Sequence, residues 1–150
     1  MVMAPMNTTQ AVINNCQAIA KAGASEVIGA LVYTVSPIHD DAFFAQMARE
    51  LAAQPFINRV YLKDPGGLLT PDRARTLLPA LREAVGSKPL ELHSHCTIGL
   101  APFTSPEAPG LGVDALHTAA QPLGNGSSQP AVENVISNLE SRGVAHDLDL

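Results

Sequence analysis

The chain has 150 residues, with 9 Lys and Arg against 14 Asp and Glu, a formal net charge of −5. That length suits one domain with a substantial core, and an acidic balance without a basic patch argues against a nucleic-acid partner. No window offers the roughly 18 apolar residues of a membrane span, no basic leader precedes an apolar stretch at Met1 to Met6, and Cys16 and Cys96 stand far apart outside any CxxC, which together predict a soluble cytoplasmic protein.

Asn7 reads as an N-cap, with Gln10 completing a capping box. Val12, Ile13, Cys16, Ile19 and Ala20 share one face of the helix that follows, and Gly23 ends it. Residues 27–35 are a dense apolar run bounded by Ser36-Pro37, a buried strand. Residues 40–53 form a helix with Phe43, Phe44, Met47 and Leu51 inward, and 57–62 a short strand. Thr70 caps and Pro71 opens a third helix, whose stripe is Ala74, Leu77, Leu78, Leu81 and Val85 before Gly86. Residues 90–93 read as a third strand and 113–118 as a fourth. Between them Pro102, Pro106, Pro109, Gly110 and Gly112 rule out a long regular helix and predict a short turn or an irregular loop. A last helix is expected to open at Ser128-Gln129-Pro130, bury Val132, Val135, Ile136 and Leu139, and stop at Gly143.

Strands alternating with helices predict a parallel α/β sheet. A closed (β/α)₈ barrel takes about 250 residues, roughly 30 per unit, so this chain has room for about four to five units, half a barrel. An open flavodoxin-like sheet fits the same length.

Two strand ends carry the chemistry. His93 and His95 are two apart, a spacing that sends both imidazoles to one side of a strand, where they can converge on one ion or merely hydrogen-bond. Lys63 arrives at the end of the preceding strand. It either snorkels to solvent or, desolvated, reacts with carbon dioxide to give a carbamate, an anionic oxygen ligand. Gly66-Gly67 permits a tight turn or a close ligand approach. The segment 124–130, rich in glycine and hydroxyls before a helix, reads either as an anion cradle or as a plain turn. His39, His117 and His146 read as surface or packing histidines, and Cys96 as a small buried thiol rather than a nucleophile.

Four stretches then stand in order: Tyr33-Thr34-Val35-Ser36-Pro37; Lys63-Asp64-x-Gly66-Gly67-Leu68-Leu69-Thr70-Pro71; Leu92-His93-Ser94-His95-Cys96-Thr97-x-Gly99-Leu100-Ala101-Pro102; and Asn125-Gly126-Ser127-Ser128-Gln129-Pro130. Together they resemble the carboxyltransferase domain of the biotin-dependent pyruvate carboxylases, oxaloacetate decarboxylase α-subunits and transcarboxylases, part of the hydroxymethylglutaryl-CoA lyase-like barrel superfamily. The resemblance covers residues 10–143. It implies a partial (β/α)₈ barrel, strands five to eight of the family's cylinder, with residues 1–150 one partial domain.

By the same resemblance, Lys63 matches a carbamylated lysine that ligates a divalent metal (zinc, manganese or cobalt), and His93 and His95 match its two histidine ligands. Ser127 falls where many members have a threonine that shuttles a proton between biotin and an enolate. The implied reaction moves a carboxyl group between carboxybiotin, on a biotin carrier protein or domain, and pyruvate or oxaloacetate. The sequence departs from the family pattern in lacking the Arg-Asp-x-x-x-Gln segment that brings a further metal-binding Asp, the substrate-binding arginine and an Ala-Met-Lys-Met carrier segment, and in having Pro65 where Met is usual. The expectation is therefore a fragment or split subunit, completed by an N-terminal half-barrel chain or by a second copy. The alternatives are a non-catalytic half-barrel remnant and a lyase or aldolase of the same superfamily.

Overall fold

The computed structural model describes residues 8–148. Its sheet has four strands, β1 (Ile28–Val32), β2 (Arg59–Asp64), β3 (Leu90–Ser94) and β4 (Ala115–Leu116), all parallel and in the order β1-β2-β3-β4. Around them run α1 (Thr9–Lys21), α2 (Asp41–Ala52), α3 (Pro71–Val85), α4 (Ala101–Thr104) and α5 (Val132–Glu140). Strictly sequential neighbours resolve what length left open. A flavodoxin-like sheet reverses direction after its first strand, whereas a barrel winds one way, so this is an arc of the barrel type.

Alternation along the strands sorts the two faces. Leu31, Leu62 and Leu92 lie side by side in register, with Val60 beside Leu90, and all are buried among the inward residues of α1, α2 and α3. Each such side chain contributes about 1.5–3 kcal/mol by leaving water. The opposite face carries a different chemistry: Tyr61 pairs in register with Glu91, and Lys63 with His93. One face is a greasy seat for helices, the other a row of polar and titratable groups.

Helix ends follow their capping chemistry. Asp40 accepts from the Phe43 amide at 2.8 Å and Thr70 from the Arg73 amide at 3.1 Å, while Pro71 opens α3 and Gly86, at φ 62°, closes it. For α1 the N-cap is Thr8, without a side-chain bond; the expected Asn7 cap lies outside the described residues.

Three boundaries differ from the sequence expectation. β2 continues through Lys63 and Asp64, which pair with His93 and Ser94, so both belong to the strand and not to the loop. β4 is only two residues long, Ala115–Leu116. The last helix begins at Val132 because residues 119 and 131 form a parallel bridge, with the Pro130 carbonyl accepting from the Ala119 amide at 3.1 Å. Residues 102–112 fold as expected into short pieces, the one-turn α4 and a 3-10 turn at Ala108–Leu111. Among the described residues no helix is long and apolar enough to cross a membrane.

Candidate metal centre

The C-terminal ends of β2, β3 and β4 bring Lys63, His93, His95 and His117 to one rim of the sheet. His93 and His95 converge: their Nε2 atoms lie 3.1 Å apart, and the Gln129 side-chain amide nitrogen is 3.2 Å from each. His95 Nδ1 lies 2.6 Å from the Ser127 carbonyl, an acceptor, so that nitrogen donates and His95 Nε2 is bare. The amide of Gln129 has two hydrogens, one for each ring, which suits two bare nitrogens facing one point.

This donor set fits a divalent cation. Two imidazole nitrogens on one zinc, each about 2.0–2.1 Å away, stand about 3.0–3.4 Å from each other for coordination angles between square and tetrahedral. His93 is also held neutral, as a ligand must be: burial first, then the neighbouring charges of His117, His95 and Lys63, push its pKa down to about 4. Lys63 is half-buried in the position beside His93. Among the described residues no three His, Cys, Asp or Glu side chains gather as a complete ligand cluster. Two imidazoles are in place, and a third protein ligand requires Lys63 to become an oxygen donor or further chain to supply one.

Behind the pair stands a second layer of polar groups. His93 Nδ1 is 2.9 Å from His117 Nδ1, and His117 Nε2 is 2.9 Å from Glu91 Oε2. Glu91 Oε1 accepts from Arg59 at 3.0 Å, and Arg59 donates to Glu26 at 2.6 Å. Tyr61 packs its ring on His117 and His93, with centroids at 5.4 Å and 5.9 Å. Burial and then the Glu91 charge push the Tyr61 phenol up to about 12, so it stays protonated.

Asp64 and Gly67 hold the rim together. The Asp64 carboxylate is fully buried, yet it accepts from the Leu68 and Leu69 amides and the Ser94 hydroxyl, each at 2.9 Å, while its carbonyl accepts from the His95 amide at 3.0 Å. Gly67, at φ 65°, lies so close to the His95 carbonyl that a Cβ there would collide with backbone.

The residues singled out from sequence divide accordingly. Lys63, His93 and His95 share the rim. Ser127 is there too, but it is its carbonyl that touches His95, and among the described residues its exposed hydroxyl makes no hydrogen bond. The segment 124–130 is a self-tied turn rather than an open anion cradle: the Asn125 amide donates to the Gln129 carbonyl at 2.7 Å, the Ser128 amide to the Asn125 carbonyl at 2.8 Å, and the Ala131 amide to Asn125 Oδ1 at 3.3 Å. Cys96 is buried and burial pushes its thiol pKa up, which removes it as a nucleophile. Sequence reasoning missed Glu91, His117 and Gln129. For His117 a signal existed: it follows Leu116 at a strand end, the position Lys63 and His93 hold on their own strands.

A family model described as HMGL-like matches residues 3–150. The chain belongs to the HMGL-like family. Among its HMGL-like relatives, a pyruvate carboxylase subunit of Methanocaldococcus jannaschii is 37% identical over 131 residues, 87% of this chain and 23% of the relative. The methylmalonyl-CoA carboxyltransferase 5S subunit of Propionibacterium freudenreichii subsp. shermanii is 30% identical over 96% of this chain and 28% of its own length. The carboxyl transferase domain of Rhizobium etli pyruvate carboxylase superposes with a TM-score of 0.80 at 31% identity, over 89% of this chain and 23% of that one. The chain thus spans about a quarter of the length of the relatives it matches, and its sheet corresponds to part of a TIM-barrel-like carboxyltransferase domain.

Proposed function

We propose that this chain is the metal-holding part of a biotin-dependent carboxyltransferase that moves a carboxyl group between carboxybiotin and pyruvate or oxaloacetate, in the cytoplasm. The observation that carries the reading is the convergence of His93 and His95 Nε2, 3.1 Å apart, at a strand end beside Lys63. Among the related structures, the Rhizobium etli domain has been solved with pyruvate and with oxamate and biotin, which supports a keto acid substrate and a biotin partner here.

In this reading His93 and His95 are metal ligands and residues 1–150 form one partial carboxyltransferase domain. The neutral Lys63 amine attacks carbon dioxide and releases a proton, and the resulting carbamate oxygen completes this chain's ligands. A divalent ion held there supplies electrostatic stabilisation to an enolate oxygen. Gln129 holds the two rings at their spacing, and the backbone of Ser127 fixes the hydrogen of His95. The proton-carrying role of the Ser127 hydroxyl rests on the family resemblance. The remaining ligand and the substrate pocket come from further chain, as an N-terminal half-barrel segment or a second copy, and biotin arrives on a carrier domain or protein.

Calorimetric titration of zinc, manganese or cobalt into the full chain tests the centre. One ion per chain is expected, with tight binding lost in both His93→Ala and His95→Ala. Unchanged affinity in both variants would remove the metal reading. Failure of the parent chain to bind any of the three would favour a non-catalytic half-barrel.

A further inference from the structure

Glu91 and His117 lie behind the convergent imidazoles and donate nothing to the shared point between them, yet both face inward on the polar side of the sheet. The geometry points to a directed relay, Glu91 to His117 to His93, that locks His93 in the tautomer whose bare Nε2 faces His95 and Gln129. Glu91 and His117 are then positioning residues, acting on a metal through His93. This inference rests on the metal reading of the same site, but the relay itself belongs to the metal-free chain.

Each step follows from what the neighbouring atom can do. The Glu91 carboxylate, 4% exposed, only accepts; one oxygen takes a hydrogen bond from Arg59 at 3.0 Å and the other lies 2.9 Å from His117 Nε2. His117 Nε2 therefore carries the hydrogen, which leaves Nδ1 of its neutral ring bare. That bare Nδ1 is 2.9 Å from His93 Nδ1, so His93 donates from Nδ1 and its own Nε2 is free. An independent contact does the same for the other ring, where the Ser127 carbonyl takes the hydrogen of His95 Nδ1 at 2.6 Å. Two separate acceptors thus turn two lone pairs toward one point. Gln129, with one amide hydrogen for each at 3.2 Å, closes the network in the absence of a cation.

The relay does more than orient. A carboxylate at the far end of two imidazoles raises the electron density on the ligating nitrogen, and loss of such an outer partner typically costs about 10–100-fold in metal affinity. His93 and His95 alone would each populate both tautomers, and the wrong one places a hydrogen where the ion must sit.

The test compares the full chain with His117→Phe, which keeps a ring against Tyr61 but removes both nitrogens, and with His117→Gln, which keeps an acceptor and a donor. Nitrogen NMR of the metal-free proteins reads the tautomer of His93, and zinc calorimetry reads affinity. The parent chain is expected to carry the His93 hydrogen on Nδ1. In His117→Phe the other tautomer should gain and zinc affinity fall about 10–100-fold, with His117→Gln recovering both. A His93 hydrogen on Nε2 in the parent, or an unchanged tautomer in His117→Phe, would overturn the relay. A parent that shows the Nδ1 hydrogen but binds no zinc would sustain the relay and defeat the metal reading instead.

Discussion

Asp64 shows how one buried charge organises this rim. Its oxygens meet two loop amides and the Ser94 hydroxyl, so the charge is stabilised by directed donors without a cation. Hydrogen bonds to charged groups are worth about 1.5–3 kcal/mol each, and donors stranded by their loss remain buried. Asp64→Ala should lose about 3 kcal/mol or more in urea unfolding, and Asp64→Asn, which keeps an acceptor, distinctly less; equal losses would contradict the role of the second oxygen. At this scale the sequence was partly legible. Lys63, His93 and His95 stand out because each ends or closely follows an apolar run. His117 hid behind a fourth strand of two residues, too short for a periodicity, and Gln129 behind a proline that looked like a helix start.

Among elements, the close approach of the loop after β2 to the loop after β3 positions the histidines. Gly67 is the contact point, and it combines a left-handed φ of 65° with a backbone neighbour that leaves no room for a Cβ. Gly86 is the control, since it has a similar φ of 62° and nothing within 4 Å of where a Cβ would stand. Both alanine variants incur the left-handed penalty of about 1–2 kcal/mol. Gly67→Ala should lose more, and its zinc affinity should fall while that of Gly86→Ala does not; equal stability and equal affinity would deny the loop contact. The β and α segments were readable from apolar spacing and caps such as Thr70-Pro71. The start of α5 was not, because a distant pairing of residue 131 with residue 119 draws the chain through Pro130 in extended form, overriding its local preference for a helix start.

For the whole molecule, sequential parallel order makes the sheet an arc of a barrel, and the polar face is the part that a closed barrel would turn inward. Tyr61 marks that face: its hydroxyl is buried and, among the described residues, has no hydrogen-bond partner, a state that costs about 1–3 kcal/mol. Alternation of strands and helices made the arc visible from sequence, whereas its winding direction needed the strand order. The account turns on two imidazoles and one amine sharing a cation at the rim of that arc. Anomalous diffraction from crystals of the full chain grown with zinc and bicarbonate measures this directly. The expected result is a single strong peak about 2.0–2.2 Å from His93 Nε2, His95 Nε2 and an oxygen of a carboxylated Lys63. A peak elsewhere, or an unmodified Lys63 amine turned away from the two rings, would contradict it.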